Sequence, residues 1–71
     1  MTWLEILNST IQVGEDFTIP QVARVLAPMV SWDMAGLRTK VYDTILKASK
    51  YGMYQRLGPD AEGVVHWRRL A

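Results

Sequence analysis

From Arg38 to Gly52 (RTKVYDTILKASKYG) the apolar residues Val41, Ile45 and Ala48 recur at spacings of four and three, and Leu37 lies one turn earlier. That period is the period of a helix with one buried stripe. Arg38, Thr39, Tyr42, Asp43, Leu46, Lys47 and Lys50 fall on the other side. Gly52 follows, a residue able to take the left-handed conformation that ends helices. The sequence thus predicts a helix over about residues 37–51. Ser31 and Asp33 are both good N-caps, so its start lies anywhere from Ser31 to Gly36.

Upstream, two shorter helices are predicted, each opened by a capping box. Thr2 and Glu5 bracket the first, which carries Trp3, Leu4, Ile6, Leu7, Ile11 and Val13 and is stopped by Gly14. Phe17 anchors a short extended piece, and Thr18 and Gln21 bracket the second helix. Pro20 suits its first turn, where the missing N–H has no partner in any case. Val22, Val25, Leu26 and Met29 are expected inward and Gln21 and Arg24 outward, and Pro28 closes or bends the helix. Downstream, MYQRL (residues 53–57) and VVHWRRL (residues 64–70) read as two strands joined by GPDAEG. Val65, Trp67 and Arg69 point one way and Val64, His66, Arg68 and Leu70 the other; the pattern leaves open which face is buried. The fold class is α+β, mainly α, with three helices and a C-terminal two-stranded hairpin in one domain spanning residues 1–71.

Composition narrows the function classes. A hydrophobic share of 49% with 21% charged residues fits a globular domain in a chain of 71 residues. With no cysteine there is no disulfide or thiolate metal site, and stability must come from packing or a partner subunit. No apolar run approaches a membrane span, and the N-terminus carries Glu5 where a signal peptide carries basic residues. A cytoplasmic protein is expected. The net charge of +1 is unevenly spread. Residues 1–33 hold Arg24 against Glu5, Glu15, Asp16 and Asp33, a balance of minus three. Residues 34–71 hold seven cations against Asp43, Asp60 and Glu62, a balance of plus four. The half with the third helix and the hairpin is the half suited to a polyanion.

Catalytic and metal chemistry find little material. His66 is the single histidine and has neither a second histidine nor a cysteine to share a metal with. Ser9, Ser31 and Ser49 lack the flanking glycines of a nucleophile elbow. Glu15 and Asp16 are adjacent, so their side chains diverge. No enzyme, cofactor or metal is expected, nor any domain beyond the binding fold in which an effector pocket would sit.

Two segments carry a family resemblance. FTIPQVARVL (Phe17 to Leu26) resembles the strand and second helix of winged helix-turn-helix regulators, and KVYDTILKASKYGMYQRL (Lys40 to Leu57) is similar to their recognition helix and the glycine that leads into the wing. The resemblance covers essentially the whole chain. It implies that the third helix enters the major groove of double-stranded DNA while hairpin 53–70 flanks it as a wing. By position, Arg38, Thr39, Tyr42 and Asp43 are then nearest the bases, and Lys40, Lys47 and Lys50 nearest phosphates. Arg56, Arg68 and Arg69 make any wing contact from the strand shafts, because the tip carries Asp60 and Glu62. The implied protein is a transcriptional regulator, associated with the nucleoid and acting as a homodimer. A bland reading of the same helix pairs Arg38 or Lys47 with Asp43 on a solvated face. The rival function is a protein-interaction module without DNA binding, with Trp32 and Leu46 as the interface candidates.

Overall fold

The computed structural model describes all residues from Met1 to Ala71. Its elements are α1 (Trp3–Thr10), β1 (Asp16–Thr18), α2 (Ile19–Leu26), a 3-10 turn (Ala27–Met29), α3 (Met34–Ser49), β2 (Tyr54–Pro59) and β3 (Val65–Arg69). Both predicted capping boxes form. Thr2 Oγ1 accepts from the Glu5 N–H while Glu5 reaches back to the Thr2 N–H, and Thr18 and Gln21 do the same for α2. These caps are local chemistry, each contributing about 1 kcal/mol.

The stripe Leu37, Val41, Ile45 and Ala48 is buried as predicted, and α3 is the beam on which α1 and α2 pack. Leu7 from α1, Ile11 just beyond it, Val22, Ala23 and Leu26 from α2, and Phe17, Tyr54 and Trp67 from the strands complete the core. Asp33 caps α3, its Oδ1 accepting from the Gly36 N–H at 2.8 Å, so the helix starts at Met34 and Ser31 plays no capping part. At the other end Gly52 has φ of 75°, the left-handed conformation expected of it.

The structure corrects the predicted hairpin. The sheet has three strands in the order β1-β3-β2, all antiparallel, so β3 is central rather than half of an isolated pair. Phe17 sits opposite Trp67 and Arg56 opposite Trp67 from the other side, which places all three on the face that covers the helices. The buried face of β3 is therefore the one carrying Trp67. Asp16, Arg68 and Gln55 share the outer face. β2 runs on to Pro59, past the end expected for it, because an irregularity at Leu57 and a left-handed Gly58 restore pairing beyond it. A proline is tolerable there because β2 is an edge strand.

Two helix assignments also change. α1 stops at Thr10, not Gly14; Ile11 turns extended and buries its side chain completely, leaving Val13 exposed. Ser9 and Thr10 donate their hydroxyls back to the carbonyls of Glu5 and Ile6, which weakens the last turn. In α2 the inward frame is Ile19, Val22, Ala23 and Leu26, and Val25 and Met29 are 57% and 63% exposed. Frames starting at Ile19 and at Val22 are equally apolar in sequence. The small Ala23 favours the first, since it lets α3 approach closely.

Candidate nucleic-acid interface

With its stripe buried, α3 presents Arg38, Thr39, Tyr42, Asp43, Leu46, Lys47 and Lys50 to solvent, while Lys40 is half-buried on the flank nearest α1. None of these charges is paired. The one Arg or Lys ion pair of the chain is Arg68 with Asp16, and Asp60 is hydrogen-bonded to His66, so the pairing of Arg38 or Lys47 with Asp43 that the bland reading offered does not form. Unpaired, Arg38 keeps its planar fork of donors free, and no acid holds any of the lysine ammoniums. The Thr39 hydroxyl donates to the Ala35 carbonyl at 3.1 Å, which leaves its lone pairs to accept from outside. Tyr42 is divided: its ring meets Trp67 edge-on at 6.4 Å between centroids, yet 45% of the residue stays exposed. That contact ties the middle of the α3 surface to β3.

The strand arginines separate into one free and two committed. Arg56 is exposed on β2, on the sheet face that covers the helices, and pairs with no acid. Arg68 is on the opposite face and holds Asp16 through two parallel hydrogen bonds, Nε to Oδ1 at 2.6 Å and Nη2 to Oδ2 at 3.1 Å. This fork-to-carboxylate arrangement holds the Asp16 carboxyl below the ordinary aspartate range. Arg69 turns under α1 and donates Nη1 to the carbonyls of Asn8 and Ile11. Those carbonyls belong to the end of a helix whose last groups lack intrahelical partners, and a cation there also suits the helix dipole. Of the three strand arginines expected to make any wing contact, Arg56 alone has no hydrogen bond or ion pair inside the chain.

The hairpin tip has its own order. Asp60 Oδ1 accepts from the N–H groups of Glu62 and Val64, and Oδ2 lies 2.9 Å from His66 Nε2. The bond to His66, assisted by those two backbone donors, keeps the Asp60 carboxyl below its ordinary range. Asp60 thus builds the turn as well as charging it. Trp32, the other candidate contact, is 47% exposed and packs edge-on against Trp3 at 5.2 Å. Leu46 is 39% exposed on the crown of α3.

Sequence reading had no access to one feature beside this surface. The first turn of α1 lies against the Lys40 flank of α3, forming a groove lined by Thr2, Trp3 and Leu4 on one side and Lys40, Thr44 and Lys47 on the other. Its existence depends on how α1 crosses α3, for which the sequence carries no local signal. No helix is long and apolar enough to cross a membrane. Comparison of the chain with family models, with curated proteins and with solved structures finds no match, so the reading of this surface rests on its own geometry and chemistry.

Proposed function

We propose that the chain is a winged helix-turn-helix transcriptional regulator that binds double-stranded DNA in the cytoplasm, with α3 in the major groove and the β2–β3 hairpin as wing. The observation that carries this reading is the solvent face of α3. Arg38, Lys47 and Lys50 stand on it free of intramolecular acids, and Arg56 adds a free cation from the neighbouring strand. A 16-residue helix is about 24 Å long and enters a major groove with room for several side chains to reach base edges. Arg38, in the N-terminal half, is suited to guanine O6 and N7; Asp43 accepts from a cytosine amine or repels a phosphate and so sets register. The lysines and Arg56 neutralise phosphates and contribute the salt-dependent part of the affinity. One short helix reads few bases, and a homodimer over two half-sites multiplies both affinity and discrimination.

The test is selection from a pool of random duplexes at two salt concentrations, followed by sequencing. A recovered motif and a steep loss of affinity with salt support the regulator reading, and a palindrome supports the dimer. A second reading is favoured by Tyr42 and Leu46, which are 45% and 39% exposed in the middle of the same face. There the scaffold offers an apolar-centred surface to another protein. Failure to retain any duplex at low salt, with capture of a protein partner that Leu46→Asp abolishes, would establish that alternative.

A further inference from the structure

The groove between α1 and α3 has a volume of about 460 Å³, within the range of small-molecule sites. Lys40, Thr44, Lys47, Ala48 and Tyr51 follow one side of α3 and the turn after it, at spacings of four, three, one and three. Trp3 and Leu4 form the facing wall, and Met53 adds a further apolar surface. The apolar walls call for an apolar body. The charge of the lining calls for an anion, because its two charged groups are both ammoniums and it holds no carboxylate. Thr2 Oγ1 donates to Glu5 and accepts the Glu5 N–H, and the Thr44 hydroxyl donates to the Lys40 carbonyl at 2.8 Å. The hydroxyl protons of both threonines are thus used, and the donors without a partner inside the chain are the ammonium groups of Lys40 and Lys47, the indole N–H of Trp3 and the phenol of Tyr51. No acid lines the groove, and the nearby Glu5 carboxylate is held by the α1 cap. Lys40 and Lys47 rise from α3 about 10 Å apart along its axis, and their side chains are long enough to converge on one carboxylate.

We infer that this groove binds a small apolar monocarboxylate, an aromatic or short acyl acid, whose body lies between Trp3 and Ala48 and whose carboxylate is held by Lys40 and Lys47. On the DNA-binding reading proposed above, on which this second step rests, both lysines face phosphates. An occupied groove withdraws two cations from the DNA surface, so the acid acts as an antagonist of DNA binding. The device needs no second domain, because the effector and the phosphates compete for the same ammonium groups.

Naphthoate and its neutral amide serve as probes, titrated into the full chain while amide and indole NMR shifts are followed. Saturable shifts at Thr2 to Leu4, at Lys40 to Ala48 and at the Trp3 indole are expected, with naphthoate at least ten-fold tighter than naphthamide. In the double variant Lys40→Gln/Lys47→Gln, whose folding is read from the dispersion of the same spectra, naphthoate should fall to the affinity of the amide. Equal affinity for acid and amide in the wild-type protein overturns the assignment. So do shifts centred elsewhere, such as the apolar cavity beside Ile6 and Met29, or no shifts at millimolar acid. The competition is read separately, by duplex affinity with and without saturating naphthoate. An unchanged affinity overturns the antagonism alone, whereas absence of any duplex binding alongside intact naphthoate shifts overturns the DNA reading and leaves the groove standing.

Discussion

Arg68 and Arg69 on the central strand, and Arg38 and Arg56 on α3 and the edge strand, are the same side chain in two surroundings. β3 has neighbours on both sides, and the chain brings it acceptors from far away: Asp16 lies opposite Arg68, and the carbonyls at the end of α1 lie under Arg69. A guanidinium placed there finds partners inside the molecule and becomes part of the frame. α3 and β2 each turn one side to solvent, and neither Arg38 nor Arg56 is paired with an acid. A guanidinium placed there keeps all its donors. A count of basic residues in the second half of the chain therefore overstates what is free to bind, and strand position within the sheet decides which cations remain available.

Several substitutions sharpen or break that contrast, and the largest effect falls on the frame. Arg69→Met keeps an apolar stem but removes the donor from the Asn8 and Ile11 carbonyls; a loss of about 2–3 kcal/mol of unfolding free energy is expected in urea titration. An unchanged midpoint would mean that water serves those carbonyls equally well. Arg38→Ala should leave the urea midpoint in place, weaken specific duplex binding by about 1–3 kcal/mol and relax one base position. Lys47→Ala should weaken all duplexes alike and lower the salt slope by about one unit. If Arg38→Ala destabilises the fold instead, the division between frame and surface fails. Tyr54→Phe removes the 2.7 Å bond from the phenol to Asn8 Oδ1, with an expected cost of about 0.5–1.5 kcal/mol. Burial raises the Tyr54 pKa, with Arg69 opposing the rise, so the phenol stays a donor at neutral pH.

The smallest effect is a pH dependence. The Asp16 carboxyl is depressed in the folded chain by its bonds to Arg68, so the folded state binds fewer protons than the unfolded state in the acid range. The pair's contribution is fully present above the ordinary aspartate pKa and is lost as pH falls through the lower folded value. The stability difference between the wild-type protein and Arg68→Gln should shrink over that acid window and stay constant above it. Asp60, depressed by His66 and two backbone N–H groups, adds a loss of the same sign that Arg68→Gln leaves in place.

What the sequence makes legible follows from how far apart the interacting residues lie. The α3 stripe and the Thr2–Glu5 and Thr18–Gln21 caps act within a few residues, and each stands where the pattern places it; Gly52 is left-handed as expected, but α3 itself ends at Ser49, two residues short of the predicted end, where the chain tightens into i to i−3 turns. The outward side of α3 follows from its inward stripe. The inward frame expected for α2 fails at Val25 and Met29 because two apolar registers overlap there, and the structure buries the one that includes Ala23. The end of α1, the pairing of the short Phe17 strand into the sheet and the commitments of Arg68 and Arg69 all depend on β1 and α1 meeting the last strand, some fifty residues or more away. No periodicity reports such a meeting. The groove beside Lys40 and Lys47 is hidden for the same reason.

The central claim is that the free cations of α3 meet phosphates while the paired arginine of β3 does not. The most direct test is the salt dependence of duplex binding for the wild-type chain, Lys47→Ala, and the charge-neutral double variant Asp16→Asn/Arg68→Gln. The account predicts a steep wild-type slope, a slope shallower by about one unit for Lys47→Ala, and the wild-type slope for the double variant. A flat slope in the wild-type protein, or a slope reduced in the double variant but not in Lys47→Ala, would contradict it.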